Sequence, residues 1–252
     1  MATASSARPY PQTAEAAPAV IRQRWEDLLF LHWRVRNSAV KRLLPPGLEL
    51  DSYNGHSYVG LIPFTVPMNR LRFVPAPLSP AFHEVNLRTY VRGPDGEPAV
   101  WFFSLDASSR WASLAAATLF FLPYHHAGIQ FGREPNGHPG GREWIRFVSR
   151  RVEHGIADCS VRYSPAGLPR TAAPGTLEHF LIERYVLYAW TGARLVRGCV
   201  RHEPYPIQEA EVDGLEEGLF RSAGLKRPKF RPLAHYARGV TVDIGWPQRE
   251  EP

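Results

Sequence analysis

Apolar and polar positions alternate along this chain in short runs that break at Pro and Gly. Arg24 to Val35 ends in the strand-like LLFLHWRV. Asn37 or Ser38 is placed to cap a short helix, AVKRLL, which Pro45-Pro46-Gly47 stops. Ser57 to Val66, His83 to Arg92 and Ala99 to Asp106 read as strands. The turn residues Gly93-Pro94-Asp95-Gly96 between the last two predict an antiparallel hairpin. Ser109 to Phe121 carries Ala, Leu and Phe at helical density and predicts a buried helix ended by Pro123. Strands are expected at His125 to Phe131, Glu143 to Glu153 and Ala157 to Tyr163. Thr176 to Trp190 reads as a second helix, capped by Thr176, with Phe180, Ile182, Tyr185 and Leu187 on its apolar face. Val196 to His202 and His235 to Ile244 read as closing strands. The whole is the pattern of an antiparallel β protein decorated by a few helices.

Strand side chains alternate between two faces. In His83 to Arg92 one face is Val85, Leu87, Thr89 and Val91, an ordinary core face. The other is Glu84, Asn86, Arg88 and Tyr90: acid, amide, guanidinium and phenol. That stripe is either a solvated outer face or the wall of a polar cavity. Its hairpin partner sets Val100, Phe102, Ser104 and Asp106 against Trp101, Phe103 and Leu105, so both of its faces start apolar and both call for cover. A covered strand beside a charged stripe implies a buried polar site in which charges are paired, and Glu84 with Arg88 supplies such a pair. His32 and Arg34 share one face of the first strand, open to a structural or a cavity-facing role. Glu183-Arg184 reads as a helix-packing salt bridge. His202, ahead of Pro204-Tyr205-Pro206, is placed to rim a pocket.

Composition narrows the function classes. Of the 252 residues 44% are hydrophobic and 12% aromatic, with seven Trp, enough for a sizeable core. No run approaches the roughly 18 apolar residues of a membrane span; Ala112 to Leu122 is too short. Residues 1–20, rich in Ala, Ser and Pro, lack the apolar core of a signal peptide and read as a disordered tail. A single domain over 21–247, a short tail at 248–252 and a cytoplasmic location are the resulting expectations. Cys159 and Cys199 read as two reduced core thiols. The net charge is +6, but the arginines are scattered without a nucleic-acid motif, and the one dense basic stretch, Lys226 to Arg231, reads as a solvated loop. Neither nucleic acid nor membrane is expected as a partner. A homo-oligomer would need an apolar outer patch beyond what the helices cover. His125-His126 would face opposite sides of a strand, and there is no HxH or HExxH spacing, P-loop, dinucleotide fingerprint or GxSxG elbow, so neither metal nor cofactor is expected.

LFLHWRV (29–35), LLPPGLELDSYNGHSYVGLIPF (43–64), EVNLRTYVR (84–92), VWFFSLDA (100–107), LPYHHA (122–127), FLIERYVLYAW (180–190) and VRHEPYPI (200–207) together resemble the YqjF-like domain-of-unknown-function family, DUF2071, over roughly residues 22 to 247. The resemblance implies an acetoacetate-decarboxylase-like fold: a closed, cone-like antiparallel β-barrel with flanking helices and a central polar cavity. It places Glu84, Asn86, Arg88 and Tyr90 at that cavity. Acetoacetate decarboxylase forms a Schiff base through a lysine whose pKa an adjacent lysine lowers, and the resemblance puts that pair just after the strand ending near Asp106. Here the segment reads Asp106-Ala107-Ser108-Ser109-Arg110-Trp111, and no lysine occurs between Lys41 and Lys226. Arginine, with a pKa above about 12, has no free amine to attack a carbonyl. The decarboxylase chemistry therefore does not carry over with the fold.

Three functions compete. The first is an enzyme working by general acid–base chemistry on a small carboxylate or carbonyl compound by dehydration, aldol-type chemistry or enolisation. Arg88 or Arg110 would hold the anion, Glu84 or Asp106 would move the proton, Tyr90 would stabilise an oxyanion, and Asn86, His32, Arg34 and His202 would contact the ligand. The second is a binding protein or sensor that uses the same cavity without turnover. The third is an interaction module acting through its basic surface, which the dispersed arginines disfavour.

Overall fold

The GPDG turn joins β4 (Phe82–Arg92) to β5 (Pro98–Ala107) as an antiparallel hairpin. Gly96 supplies the positive φ of 80° that closes it, and the Asp95 carboxylate accepts from the Glu97 amide at 3.0 Å. The computed structural model describes residues 19–72, 80–134, 143–152 and 157–249, with the backbone alone at 111, 112, 115 and 116. The remaining strands are β1 (Ile21–Val35), β2 (Glu49–Leu50), β3 (Ser57–Leu71), β6 (Tyr124–Glu134), β7 (Trp144–Arg151), β8 (Cys159–Arg170), β9 (Val186–Trp190), β10 (Leu195–Arg201), β11 (Ile207–Glu217), β12 (Leu233–Ile244) and β13 (Gln248–Arg249). Among the described residues four short helices accompany them: α1 (Asn37–Lys41), α2 (Arg110–Phe120), α3 (Leu177–Ile182) and α4 (Leu219–Ser222). Most of the tail expected at the N-terminus, and residues 250–252, lie outside the described residues; Gln248 and Arg249 pair with Arg197 and Val196.

The strands form one mixed sheet that closes on itself twice. Pairing of β4 with β5 closes a ring through β6, β7, β8, β11, β12, β1 and β3; pairing of β10 with β12 closes a second ring through β9 and β5. The strands β12-β1-β3-β4-β5 belong to both rings. They therefore bury both faces, which is why consecutive residues are buried along most of β3 and β4 and from Asp27 to Trp33 in β1. On one side Leu29, Leu31, Trp33, Val85 and Leu87 join a core with Ile145, Phe147 and Tyr163. On the other, Leu28, Phe30, Ile62, Phe64 and Phe102 join a core with Leu181 and Ile182. The closed β-barrel expected from the sequence is present, but not every pairing is antiparallel: β5 pairs in parallel with β6 and β9. The parallel step from β5 to β6 needs a crossover, and α2 provides it.

Two bulges set which side chains face the second core. Asp27 adopts φ 54° between Glu26 and Leu28, so Trp25 and Leu28 both point the same way. This left-handed backbone, costing about 1–3 kcal/mol for a residue with a Cβ, is held by Arg133, whose guanidinium reaches both Asp27 carboxylate oxygens at 2.6 and 2.8 Å, and by the Tyr236 hydroxyl at 2.6 Å. A second irregularity lies where Leu87 pairs with Ser104 but Arg88 pairs with Phe102.

Three local expectations are corrected. The stretch Thr176 to Trp190 is not one helix. Thr176 does cap α3, accepting from the His179 amide at 3.2 Å, but α3 ends at Ile182 and VLYAW becomes β9 between β5 and β10. Glu183 and Arg184 do not pair with each other. Arg184 turns to buried Asp51 at 2.9 Å, whereas Glu183 accepts from the Tyr205 amide at 3.0 Å and from the Tyr185 hydroxyl. These separate partners pull the chain out of the helix. Third, α1 starts from Arg36 without a side-chain cap, because Asn37 spends its amide on Gly55 and Ser57.

Candidate functional site

The polar stripe of β4 is buried: Glu84 is 4%, Asn86 5%, Arg88 8% and Tyr90 0% exposed. It is covered because β4 is a shared strand, with Val85 and Leu87 turned to one core and the stripe turned to the other. A cavity of about 130 Å³ opens on that second side, and Glu84, Asn86 and Arg88 line it. Around them stand Phe30, Ile62, Phe64, Phe102 and Leu105.

Glu84 is held by two donors. The Tyr124 hydroxyl donates to Oε2 at 2.9 Å and the Asn86 amide nitrogen lies 3.5 Å from Oε1. Burial nevertheless pushes its carboxyl up to about 7, against those hydrogen bonds; the nearby Asp106 charge adds to the rise. Burial likewise raises Tyr124 well above its ordinary value, reinforced by the Glu84 charge. Arg88 gives Nη2 to the Leu181 carbonyl at 3.2 Å, while its Nε is buried without a partner among the described residues, as is Oδ1 of Asn86. An orphaned buried donor and an orphaned buried acceptor thus belong to two residues of the same strand face that line the cavity, at its floor. Unpaired buried polar atoms cost about 1–3 kcal/mol each.

Tyr90 and His32 sit behind this floor rather than in it. The Tyr90 oxygen lies 2.7 Å from both the Leu181 carbonyl and His32 Nε2. The Tyr90 hydroxyl gives its single proton to Leu181, so His32 Nε2–H donates to Tyr90. Burial holds His32 well below its ordinary pKa, which keeps it neutral. Its ring rests on Gly60, where a Cβ would come within 3.0 Å of it.

The other sequence candidates scatter. Asp106 is fully buried but on the opposite face, opposite Val85, and binds Arg151 through both carboxylate oxygens at 2.7 and 2.9 Å. The bulge near Arg88 explains this placement: it puts Phe102 and Leu105 on the cavity face and Ser104 and Asp106 on the other. Arg110, at the start of α2, and Arg34, 3.3 Å from His56, are exposed. His202 lies between the rings of Tyr185 and Tyr205, with centroids 4.6 and 4.4 Å away; Tyr205 rather than His202 reaches the cavity. Burial lowers His202 to about 4.

Sequence reasoning missed Tyr124, which reaches the floor through the parallel register Leu105 to Tyr124. It also missed Gln23, Trp25 and Asn69, which the Asp27 bulge and the β1–β3 pairing turn to the cavity wall. The described residues hold one cluster with metal-ligand chemistry, Glu178, Glu209 and His235. Arg170 already reaches both of its carboxylates, at 2.7 and 3.1 Å. Cys159 and Cys199 are free thiols, and burial raises both. Lys226 and Lys229 are exposed, and Arg227 pairs with Glu217 at 3.2 Å. No helix among the described residues is long and apolar enough to cross a membrane.

The model of the DUF2071 family, described as an uncharacterized conserved protein, matches residues 22–241. The chain belongs to this family. The YqjF protein of Bacillus subtilis (strain 168) is 38% identical over 232 residues, 92% of each chain. Among solved structures, the enduracididine biosynthesis enzyme MppR complexed with pyruvate superposes with a TM-score of 0.64 at 15% identity, covering 96% of this chain and 94% of that one. A second MppR structure, holding the condensation product of pyruvate and imidazole 4-carboxaldehyde, gives 0.65 at 14%, with 98% of each chain covered. Acetoacetate decarboxylase from Legionella pneumophila subsp. pneumophila str. Philadelphia 1 gives 0.64 at 12%, with 98% and 93% covered. At these identities the likeness is one of fold. Among the described residues that line the cavity of this DUF2071 member there is no lysine.

Proposed function

We propose that this protein binds a small carboxylate or carbonyl compound on the Glu84–Asn86–Arg88 floor and moves a proton on it by general acid–base chemistry, without a Schiff base. One observation carries the reading: a buried carboxyl near pKa 7 stands beside an unpaired buried donor and an unpaired buried acceptor on residues that line the same cavity. A carboxyl at that pKa is present in both protonation states at neutral pH, which suits a group that takes a proton and returns it. Arg88 Nε–H would hold the ligand's anionic or carbonyl oxygen. Ionised Glu84 would remove a proton from the carbon next to the carbonyl. The C–H electron pair then forms the enolate, whose oxygen charge Arg88 balances, and the proton returns from Glu84 to the same or a neighbouring atom. Asn86 Oδ1 would accept from a hydroxyl of the ligand. Tyr90 and His32 act as positioning groups that fix the Leu181 carbonyl to which Arg88 is tied. A pyruvate-bound structure of MppR, a neighbour in fold, agrees with a ligand of this class. Enolisation, dehydration and aldol-type reactions all share this first step.

The test is proton exchange. With 2-oxo acids in D₂O, ¹H NMR is expected to show wild-type protein catalysing loss of the C3 proton signal, and Glu84→Gln slowing that exchange about 10²-fold or more. Binding of the acids without any exchange above the buffer rate would assign the cavity to a sensor or carrier instead.

A further inference from the structure

We infer that the natural ligand carries an apolar group, about the size of a short alkyl chain or a phenyl ring, behind its polar head, and that it binds head-inward with this tail toward the rim. The inference rests on the reading of the floor as the site for the polar head. It comes from the way the cavity changes character along its depth. Unpaired polar atoms are confined to the floor, at Asn86 and Arg88. Above the floor the walls are Phe30, Ile62, Phe64, Phe102 and Phe120. The polar residues partway up bond to one another: the Gln23 amide donates to Asn69 Oδ1 at 3.1 Å, and Trp25 Nε1 donates to Gln23 Oε1 at 2.6 Å. These bonds partly satisfy both amides, so this part of the wall calls less for a polar ligand group than the floor does.

The rim is apolar as well. Ile21, Leu71, Val200 and Ile244 are half-buried, and Leu119 is 46% exposed. These residues come from β1, β3, β10, β12 and α2, where the short β10–β12 contact of two residue pairs closes the second ring. An acid as small as pyruvate would satisfy the floor and leave the walls and rim without a partner. An apolar cavity of about 150 Å³ is large enough to take up a benzene-sized molecule, and this one has about 130 Å³ with an open mouth. A head that satisfies Arg88 and Asn86 and a tail that covers the rim together match the lining from bottom to top.

The experiment is isothermal titration calorimetry with pyruvate, 2-oxobutanoate, 2-oxohexanoate and hexan-2-one. The proteins are wild type, Arg88→Met at the floor, and Val200→Trp and Leu119→Gln at the rim. Burying a methylene is worth about fourfold in affinity. Three added methylenes should therefore tighten 2-oxohexanoate over pyruvate by roughly 60-fold when fully buried, and by at least tenfold. Val200→Trp, which fills the tail space, should flatten the series to under threefold while leaving pyruvate within threefold of wild type. Leu119→Gln should flatten it less, and it keeps the test open if the Trp variant does not fold. Equal affinity for pyruvate and 2-oxohexanoate in wild type would overturn the tail inference and leave the floor standing. Binding of hexan-2-one as tightly as 2-oxohexanoate, unaltered by Arg88→Met, would overturn the floor and keep an apolar site. No binding of any acid at millimolar concentration would overturn both.

Discussion

Asp106→Ala is expected to destabilise the fold by about 3–5 kcal/mol. Asp106 is fully buried, and its Arg151 partner has a side chain only 4% exposed. Removing the carboxylate leaves the guanidinium in a low-dielectric setting with, among the described residues, only the Ser222 hydroxyl, at 3.1 Å, as a side-chain partner. The penalty is the cost of an uncompensated buried charge rather than of a lost contact. The double variant Asp106→Ala/Arg151→Met removes that charge and should recover much of the loss. Urea unfolding of the three proteins measures this directly. Asp106 also appeared in the sequence as a candidate proton carrier. A single variant with wild-type stability and abolished proton exchange would restore that role and refute the structural one.

Glu84→Gln should behave in the opposite manner, and its effect should depend on pH. The folded-state carboxyl titrates near 7, whereas an ordinary glutamate titrates near 4.5. The folded protein therefore binds the extra proton between these values. The stability contributed by protonated Glu84 is fully present below about pH 4.5 and is lost as pH rises through 7. A shift of this size is worth about 3 kcal/mol. Glutamine has no such transition, so the stability of the variant relative to wild type should rise by about 3 kcal/mol between pH 4 and pH 8. The wild-type profile alone would not reveal this. His202, lowered to about 4, and His32, lowered well below its ordinary value, lose stability as pH falls below 6.5 and oppose Glu84 over the same window. Subtracting the two profiles cancels the histidines. A difference that stays flat with pH would mean that Glu84 is ionised like a surface carboxylate.

Much of this was legible from the chain because the shared strands carry two signals at once. EVNLRTYVR showed a polar face and an apolar face, and the apolar start of both faces of its hairpin partner favoured cover on both sides. What remained open, whether the polar face met solvent or a cavity, depended on a second ring closing over it through β9 and β10. That closure was hidden, because VLYAW continues the helical pattern of LEHFLI and only the buried partners of Glu183 and Arg184 break it. The bulges were equally hidden. Strict alternation groups Asp106 with Phe102, and one irregular pairing separates them. β11 was missed because IQEAEVDGLEE carries acidic groups along its outer side, so it looks solvated although Ile207 is buried. Tyr124 required the parallel register of β5 and β6, which no residue pattern announces.

The most direct test of the central claim is a thermal-shift titration of wild type, Glu84→Gln and Arg88→Met with small 2-oxo acids, after each variant is shown to melt cooperatively. At a hundred times its dissociation constant a ligand adds about 2.7 kcal/mol, roughly 5–10 °C for a chain of this size. The account predicts that shift in wild type, a reduced one in Glu84→Gln and almost none in Arg88→Met. Equal shifts in all three proteins, or none in any, would contradict it.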